Sequence, residues 1–406
     1  MTDIAAERPE AVPLLEPRDG VPAVINTARE LDAAIAAVAA GTGPIGIDAE
    51  RASGYRYGQR AYLVQLRREP AGTFLIDPIA FDTLAPLGAV IRDLEWVLHA
   101  ASQDLPSLRE VGLDTTRLFD TELAARLAGF ERVGLATMVE LLLGFQLAKE
   151  HSAADWSRRP LPEPWLKYAA LDVEILIELR DALEAELIAQ GKLEWAQEEF
   201  QAVLAAAPPA PRTDPWRRTS GMHKVRTRRQ LAVVRALWEA RDQLARVRDT
   251  APGRVLPDSA IIAAATTAPE TPEQLGRLAG WGGRSTRRLV TQLWPTISAA
   301  YALPEDELPR PAATGDGPPP PSRWPDRDPV AAARLARARA ALTTLSETHR
   351  VPVENLLTPD LVRRLCWSPP GTDLETVSGY LRDGGARPWQ IGLTASALAA
   401  ALVAQE

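Results

Sequence analysis

Cysteine is almost absent from this 406-residue chain: Cys366 stands alone. No intrachain disulfide can form, which excludes the framework of a small secreted domain. Histidine is scarce too, with four residues. That leaves little for a zinc site, so a metal must be sought among carboxylates, which select a hard cation such as Mg²⁺ or Mn²⁺. No apolar run approaches the ~20 residues a helix needs to cross a bilayer. The acidic, Pro-rich opening MTDIAAERPEAVPLLEPRDG lacks a basic segment followed by an apolar one. Neither a membrane span nor a signal peptide is therefore expected, and a cytoplasmic location is. Lysine is nearly missing: of 46 Lys+Arg only Lys149, Lys167, Lys192 and Lys224 are lysines. The arginine excess runs through the whole chain, so it discounts any local reading of an arginine.

What is present is globular. Hydrophobic residues make up 46% and charged residues 24%, values compatible with packed cores. The length implies two or three domains. The net charge of −7 is uneven: residues 206–301 carry 16 Lys+Arg against 7 Asp+Glu, or +9, so the remainder carries −7 − 9 = −16. A basic middle between acidic neighbours suggests a polyanionic partner; a solvated charged surface is the alternative.

Residues 1–20 read as a flexible, loosely attached tail. A mixed α/β unit follows over 21–206. Its strand-like runs are PIGIDAE (44–50), YLVQLRR (62–68), TFLIDPI (73–79) and WVLHAA (96–101), and helical stretches lie at 28–40, 105–113, 121–129 and 135–144. The first three strands with short gaps predict an antiparallel meander with helices packed over it. A Pro-rich linker at 207–215 leads into a helical unit at 216–301, opened by a long helix at 226–249. A second Pro-rich linker, 302–328, leads into another helical unit at 329–406 with helical segments at 330–350, 353–367 and 395–405. Similar size and element order suggest a divergent tandem repeat.

Three acidic segments stand out. In IGIDAER, Asp48 and Glu50 are two apart on a strand and leave the same face, opposite Ile45 and Ile47. Paired carboxylates there repel each other unless a cation lies between them; a surface pair at a strand end is the alternative. In LHAASQDLPSL, Asp104 follows His99 by five residues at a loop-to-helix step; alone, Asp104 reads as an N-cap ahead of Pro106. In LKYAALDVEI, Tyr168 and Asp172 are four apart on one helical face; alone, this reads as a buried Tyr and a solvated Asp.

In chain order these give D-x-E, H-A-x-x-x-D and Y-x-x-x-D. That series resembles the DEDD superfamily of 3′–5′ exonucleases, in its tyrosine subclass. LVQL (63–66), DWSRRPL (155–161) and PWRRTSGMHKVRTRRQLAVVRALWEARDQLA (215–245) extend the resemblance to ribonuclease D, whose catalytic domain is followed by helical HRDC domains. The resemblance covers roughly residues 21–301 and continues more faintly beyond. It implies an α/β ribonuclease H-like exonuclease domain, with a mixed sheet and helices, followed by two all-α HRDC-like domains. It also implies a metal-dependent exoribonuclease that trims RNA 3′ ends by two-metal-ion hydrolysis and releases 5′-mononucleotides. Asp48, Glu50, Asp104 and Asp172 would hold two divalent cations, Mg²⁺ or Mn²⁺, and Tyr168 would orient the attacking water. The partner would be a structured RNA with a free 3′ end, such as a tRNA precursor, and a monomer is expected.

Accessory positions follow from the same resemblance. Ala49 offers backbone to the 3′ end. Arg51 stands where an aromatic is expected and could contact phosphate instead. His99 is a supporting residue or a core histidine. Gln65 contacts substrate or fills the sheet. Arg158 and Arg159 contact phosphate or lie on the surface. In the helical unit, Arg217, Arg218, Lys224 and Arg226 beside Trp216, and Arg284 and Arg287 in GWGGRSTRRLV, are candidates for RNA phosphate. Trp281 in that segment reads as core. The alternatives are a 3′–5′ DNA exonuclease and a non-catalytic RNA-binding protein, the latter disfavoured by retention of every carboxylate.

Overall fold

A computed structural model describes residues 11–147, 153–208, 210, 212–311 and 317–403. Parts of the expected tail and of both linkers, and the last residues of the third unit, lie outside the described residues. The chain opens with β1 (Val12–Leu14), β2 (Val24–Ile25), α1 (Ala28–Ala40), β3 (Thr42–Arg51), β4 (Ala61–Glu69) and β5 (Gly72–Ile76). Next come α2 (Ala85–Ile91), β6 (Glu95–Leu98), α3 (Leu105–Glu110), β7 (Arg117–Asp120), α4 (Thr121–Ala128), α5 (Leu135–Leu143) and β8 (Phe145–Leu147). The helices α6 (Glu163–Glu174), α7 (Leu176–Ala189) and α8 (Leu193–Ala205) close this unit.

The main sheet has the order β2-β5-β4-β3-β6-β7. Strands β3, β4 and β5 form the expected antiparallel meander, while β3–β6, β6–β7 and β2–β5 pair in parallel. β2 and β7 escape periodicity because they have two and four residues, too few to show alternation. Ile45 and Ile47 are fully buried on one face of β3, while Asp48 and Glu50 take the other, beneath α6. Gly46 shares that second face. A Cβ there would lie 3.2 Å from the Val173 carbonyl oxygen and 3.4 Å from Leu176 Cβ. Its bare backbone is what lets the α6–α7 junction approach β3.

The expected tail is partly tied down. Val12–Leu14 pairs in parallel with Phe145–Leu147. The Arg18 amide donates to both carboxylate oxygens of buried Glu174, each at 3.1 Å, and the Lys167 ammonium meets Glu16 at 2.6 Å. Residues 12–18 thus strap across α6. No sequence periodicity reveals this, because the partners are over 130 residues away.

The middle helical unit contains α9 (Arg228–Val247), α10 (Pro252–Val255), α11 (Asp258–Thr267), α12 (Pro272–Gly276) and α13 (Arg284–Ala302). After the short α14 (Trp324–Arg327), the last unit contains α15 (Pro329–His349), α16 (Val353–Leu356), α17 (Pro359–Trp367), α18 (Leu374–Asp383) and α19 (Pro388–Leu402). The five helices have 20, 4, 10, 5 and 19 residues in one unit and 21, 4, 9, 10 and 15 in the other. The element order therefore repeats. The segment 353–367, read as one helix, is two, because Thr358 caps a new start at Pro359. Among the described residues no helix is long and apolar enough to cross a membrane.

The cores are unequally shared. Residues from Trp216 to Leu308 build a separate apolar cluster. The last unit instead continues the core of the sheet unit, with Leu335, Leu365, Trp389 and Leu398 in one cluster with Leu127, Leu187 and Phe200. At that junction Trp389 stacks on Trp195 at 5.1 Å, and its indole N–H donates to the buried Glu199 carboxylate at 3.0 Å. Trp389→Ala removes the stack and leaves that carboxylate short of a donor. It is expected to cost about 3–5 kcal/mol, read by urea unfolding; a change below about 1 kcal/mol would place the docking energy elsewhere.

Candidate active site

Three separate segments deliver acids to one place. β3 presents Asp48 and Glu50 two residues apart on one face. α6 presents Tyr168 and Asp172 one turn apart; Pro162 ends the preceding extended chain and Pro164 sits in the first turn. One oxygen each of Asp48, Glu50 and Asp172 lie within 4.8 Å of one another. Asp104 lines the same cavity of about 300 Å³ as Asp48, Tyr168, Asp172 and His99. A second pocket of about 260 Å³ flanks Glu50, walled by Ala49, Arg51, Ser53, Gly54 and Ala154. A larger cavity of about 750 Å³, bounded by Arg132, Glu140 and Gln146, shares no lining residue with either and gathers no comparable acid cluster, so size is no guide to the chemistry.

Asp104 occupies the N-cap position of α3 but makes no side-chain capping bond. Its carboxylate instead meets Arg51 Nη2 at 3.3 Å, which removes the capping alternative. The turn before it is held by Asp120, a residue the sequence reading missed. Buried Asp120 accepts from the amides of Ala100 (3.1 Å) and Ala101 (2.9 Å), and from those of Glu122 (3.0 Å) and Leu123 (3.1 Å). Ala100 has a left-handed backbone, φ 60°, a conformation that costs a residue with a Cβ. Asp120 thus caps α4 and locks the strained turn that aims Asp104. The only sequence signal was an Asp-Thr pair at a helix start.

Burial dominates the electrostatics. It pushes Asp48 up to about 6, with Arg51 opposing, and pushes Asp104 up to about 8, with Asp48 repulsion adding. Glu50 and Asp172 are held well above the usual carboxylate range by burial and then by neighbouring acids. Tyr168 is raised by burial and by Asp172, to which its hydroxyl hydrogen-bonds; it stays a phenol. Four buried or partly buried acids with too few cations suit a divalent cation between them, since the donor set is all hard oxygen.

His99 Nδ1 lies 2.9 Å from Thr121 Oγ1, and that hydroxyl donates to the Leu98 carbonyl at 3.1 Å. The hydroxyl therefore accepts from Nδ1–H, which leaves Nε2 unprotonated. Burial lowers the imidazole to about 4, so it is neutral at physiological pH.

Several accessory expectations change. Gln65, paired opposite Asp48, is fully buried with no partner for either amide atom. It fills the sheet under α6. Arg159 grips Asp77 through Nε and Nη2, both at 2.7 Å, and its remaining donors reach the carbonyls of Tyr62, Trp156 and Arg158. No donor is left for phosphate. Arg51 donates to the Gln103 carbonyl at 2.8 Å in addition to pairing Asp104, so it braces the acids, and it also lines the pocket beside Glu50. Arg158 is exposed, and buried Ala49 walls the second pocket.

In the middle unit, Arg217 is committed to Asp214, the Arg310 carbonyl and the face of buried Trp216. Arg218, Lys224, Arg226 and Arg287 are exposed, although Arg287 also donates to the Gly282 carbonyl at 3.2 Å. The side chain of Arg284 lies outside the described residues. Trp281 is buried and donates to the Ala260 carbonyl at 2.9 Å, as core.

Comparisons with known proteins agree with this layout. The family model for 3′–5′ exonucleases matches residues 22–188, that for HRDC domains matches 230–297, and that for a 3′ to 5′ exonuclease C-terminal domain matches 317–402. Ribonuclease D of Gluconacetobacter diazotrophicus is 33% identical over 347 residues, covering 83% of this chain and 84% of that protein. Ribonuclease D of Escherichia coli is 31% identical over 321 residues, covering 75% and 81%. Among solved structures, a protein from Bifidobacterium adolescentis is 40% identical, with a TM-score of 0.90 over 97% of this chain and 100% of that one. The E. coli RNase D structure, described as an exoribonuclease involved in structured RNA processing, is 29% identical, with a TM-score of 0.67 over 94% and 98%.

The raised carboxyl pKa values set a pH dependence. A folded state that binds a proton more tightly than the unfolded chain loses stability as pH rises. For Asp48 and Asp104 the loss runs from the unfolded value near ~4 to about 6 and about 8 respectively. A cation held by the ionised acids offsets it. Mg²⁺ or Mn²⁺ is therefore expected to raise Tm more at about pH 8.5 than at about pH 5, and Asp48→Asn to raise the metal-free Tm at the higher pH. A cation effect equal at both pH values would show that these acids are not its seat.

Proposed function

Because the chain belongs to the ribonuclease D family of 3′–5′ exoribonucleases, we propose that it trims the 3′ ends of structured RNAs, tRNA precursors among them, releasing 5′-mononucleotides. The observation that carries this reading is the convergence of four acids from three segments beside a phenol hydrogen-bonded to one of them. Asp48, Glu50, Asp104 and Asp172 are the residues that would hold two divalent cations, Mg²⁺ or Mn²⁺. Cations in that position supply Lewis acidity to the attacking and leaving oxygens of an in-line displacement.

The protein's own groups do the rest. Tyr168 is a poor base, because burial and its acidic neighbours keep it protonated. Its hydroxyl donates to Asp172, so its oxygen remains an acceptor that can orient a water along the line of attack. Arg51 holds Asp104 and the Gln103 carbonyl in register. The pocket beside Glu50 offers room for the 3′-terminal part of a strand, and the exposed Arg218, Lys224 and Arg226 offer charge for RNA phosphates farther back.

The test is one assay with 3′-extended RNA and matched single-stranded DNA in Mg²⁺, Mn²⁺ or EDTA. RNA shortened from its 3′ end in either metal and not in EDTA is the expected result; no shortening in either metal overturns the reading, and equal loss of DNA would make the chain a general 3′–5′ exonuclease. Asp48→Asn is expected to abolish shortening with RNA binding retained. Tyr168→Phe is expected to lower kcat by about 10²-fold with little change in cation-induced Tm; an unchanged kcat would return Tyr168 to a packing role. Replacing Arg218, Lys224 and Arg226 by Gln is expected to flatten the log–log salt dependence of binding by about 2, at ~0.7 per single-strand phosphate contact. An unaltered slope would remove these three from the RNA path.

A further inference from the structure

The loop between β3 and β4, residues 52–60, begins one residue after the Glu50–Arg51 pair. Ser53 and Gly54 form part of the wall of the pocket beside Glu50. The far side of the same loop is gripped by the middle helical unit. The Gly54 carbonyl accepts from Arg254 Nε at 2.6 Å, and the Tyr55 carbonyl accepts from the Ala251 amide at 2.9 Å. The Arg254 guanidinium stacks 3.9 Å from the centre of the Tyr55 ring. Tyr57 Oη lies 3.0 and 3.1 Å from the two Asp242 carboxylate oxygens, and Arg246 Nη2 donates to it at 3.1 Å. The Tyr57 amide donates to Asp249 at 3.3 Å, and Arg56 pairs with the same carboxylate at 3.5 Å.

Among the described residues, Tyr57 is the one hydrophobic side chain of the exonuclease domain packed against the apolar core of the helical unit. The grip extends further. Arg56 Nε donates to Ser157 Oγ at 2.7 Å, and Ser157 in turn bonds Asp155, in the segment leading to α6. Both the strand carrying Asp48 and Glu50 and the approach to the helix carrying Tyr168 and Asp172 are thus tied to one interdomain contact. This contact is built of arginine, acid and tyrosine rather than aliphatic side chains. Polar interfaces between domains are the ones that open, and this one is placed where opening would move a wall of the active site.

We propose that the HRDC domain braces the active site as well as binding RNA: by gripping residues 52–60 through Tyr57, it holds the wall of the pocket beside Glu50 in the position that receives the RNA 3′ end. The proposal rests on the exonuclease reading above for the identity of what fills that pocket. It separates from a role in RNA capture because Tyr57 carries no charge. Loosening the brace lowers turnover and leaves the electrostatic part of binding alone.

The experiment uses the full chain with Tyr57→Phe, which keeps the packed ring and removes the hydroxyl, and Tyr57→Ala, which removes both. Three quantities are measured: kcat at saturating 3′-extended RNA in Mn²⁺, Kd with its salt slope in EDTA, and amide hydrogen exchange along residues 48–60 and 249–254. Tyr57→Ala is expected to lower kcat by about tenfold or more, and Tyr57→Phe by less, with Kd and salt slope as in the parent. Exchange is expected to quicken from Glu50 through Tyr57 and at Ala251. A kcat within about twofold of the parent while exchange shows the loop released overturns the brace. Exchange no faster than in the parent also overturns it, because Tyr57 would then not be what holds the loop. A parent protein that shortens no RNA in either metal counts against the exonuclease reading instead. In that case exchange alone decides the brace: loosening that reaches Glu50 supports it, and loosening confined to residues 55–60 rejects it.

Discussion

Four acids held together against their own repulsion are the constraint around which the rest of the molecule is arranged. Asp48, Glu50, Asp104 and Asp172 are each pushed upward in pKa, with burial first and mutual repulsion added for three of them. No single element could hold such a group, because each acid would choose the rotamer farthest from the others. The fold therefore draws them from a strand, a turn and a helix whose positions are fixed by unrelated contacts. β3 is clamped on both sides by β4 and β6. The turn is locked by Asp120. The helix is drawn close by the bare backbone of Gly46 and strapped by residues 12–18. The stability spent in gathering the acids is what makes the site attractive to a divalent cation, since ionised oxygens that cannot move apart gain most from a shared positive charge.

The two helical units serve that site differently although their helices follow one order. The last unit merges its core with the sheet unit, meeting it at α8, so it is part of the scaffold. The middle unit keeps its own core and reaches the exonuclease domain through polar contacts around one tyrosine. Large apolar interfaces hold domains in one arrangement, and small polar ones permit motion. Two units with one element order thus meet the sheet unit in two ways, one through a shared apolar core and the other through polar contacts.

The distribution of what was legible in the sequence follows the range of the interactions. Asp48 with Glu50, and Tyr168 with Asp172, were readable because strand and helix geometry alone puts each pair on one face. The meander of β3, β4 and β5 was readable for the same reason. Asp104 was ambiguous between cap and ligand, because a cap depends on local backbone and a ligand on a residue 56 positions earlier in the chain. Gln65 and Arg159 stayed open between substrate contact and a place in the scaffold, because their surroundings are set by α6 and by Asp77, which no local pattern encodes. Asp120, Gly46 and Tyr57 went unnoticed. Each acts by touching a segment distant in sequence, and each is of a type with an ordinary local explanation: a helix cap, a strand glycine and a surface aromatic.

Many of the arginines of this chain are committed to its own backbone. Guanidinium is a rigid fork with five N–H donors, and this chain uses it repeatedly to pin backbone. Arg68 holds the Val38 carbonyl, Arg228 those of Leu308 and Pro309, Arg241 that of Leu256, and Arg337 those of Ala401 and Val403. Lysine, with a single ammonium on a flexible stem, could not span two carbonyls in fixed geometry. An arginine already committed to carbonyls and a carboxylate, as Arg159 is, has nothing left to offer a phosphate. Abundance of arginine in this chain is therefore a property of its scaffold first. The charge available to RNA resides in the few cations that the scaffold leaves exposed, among them Arg218, Lys224 and Arg226, and a net charge of +9 over residues 206–301 overstates it.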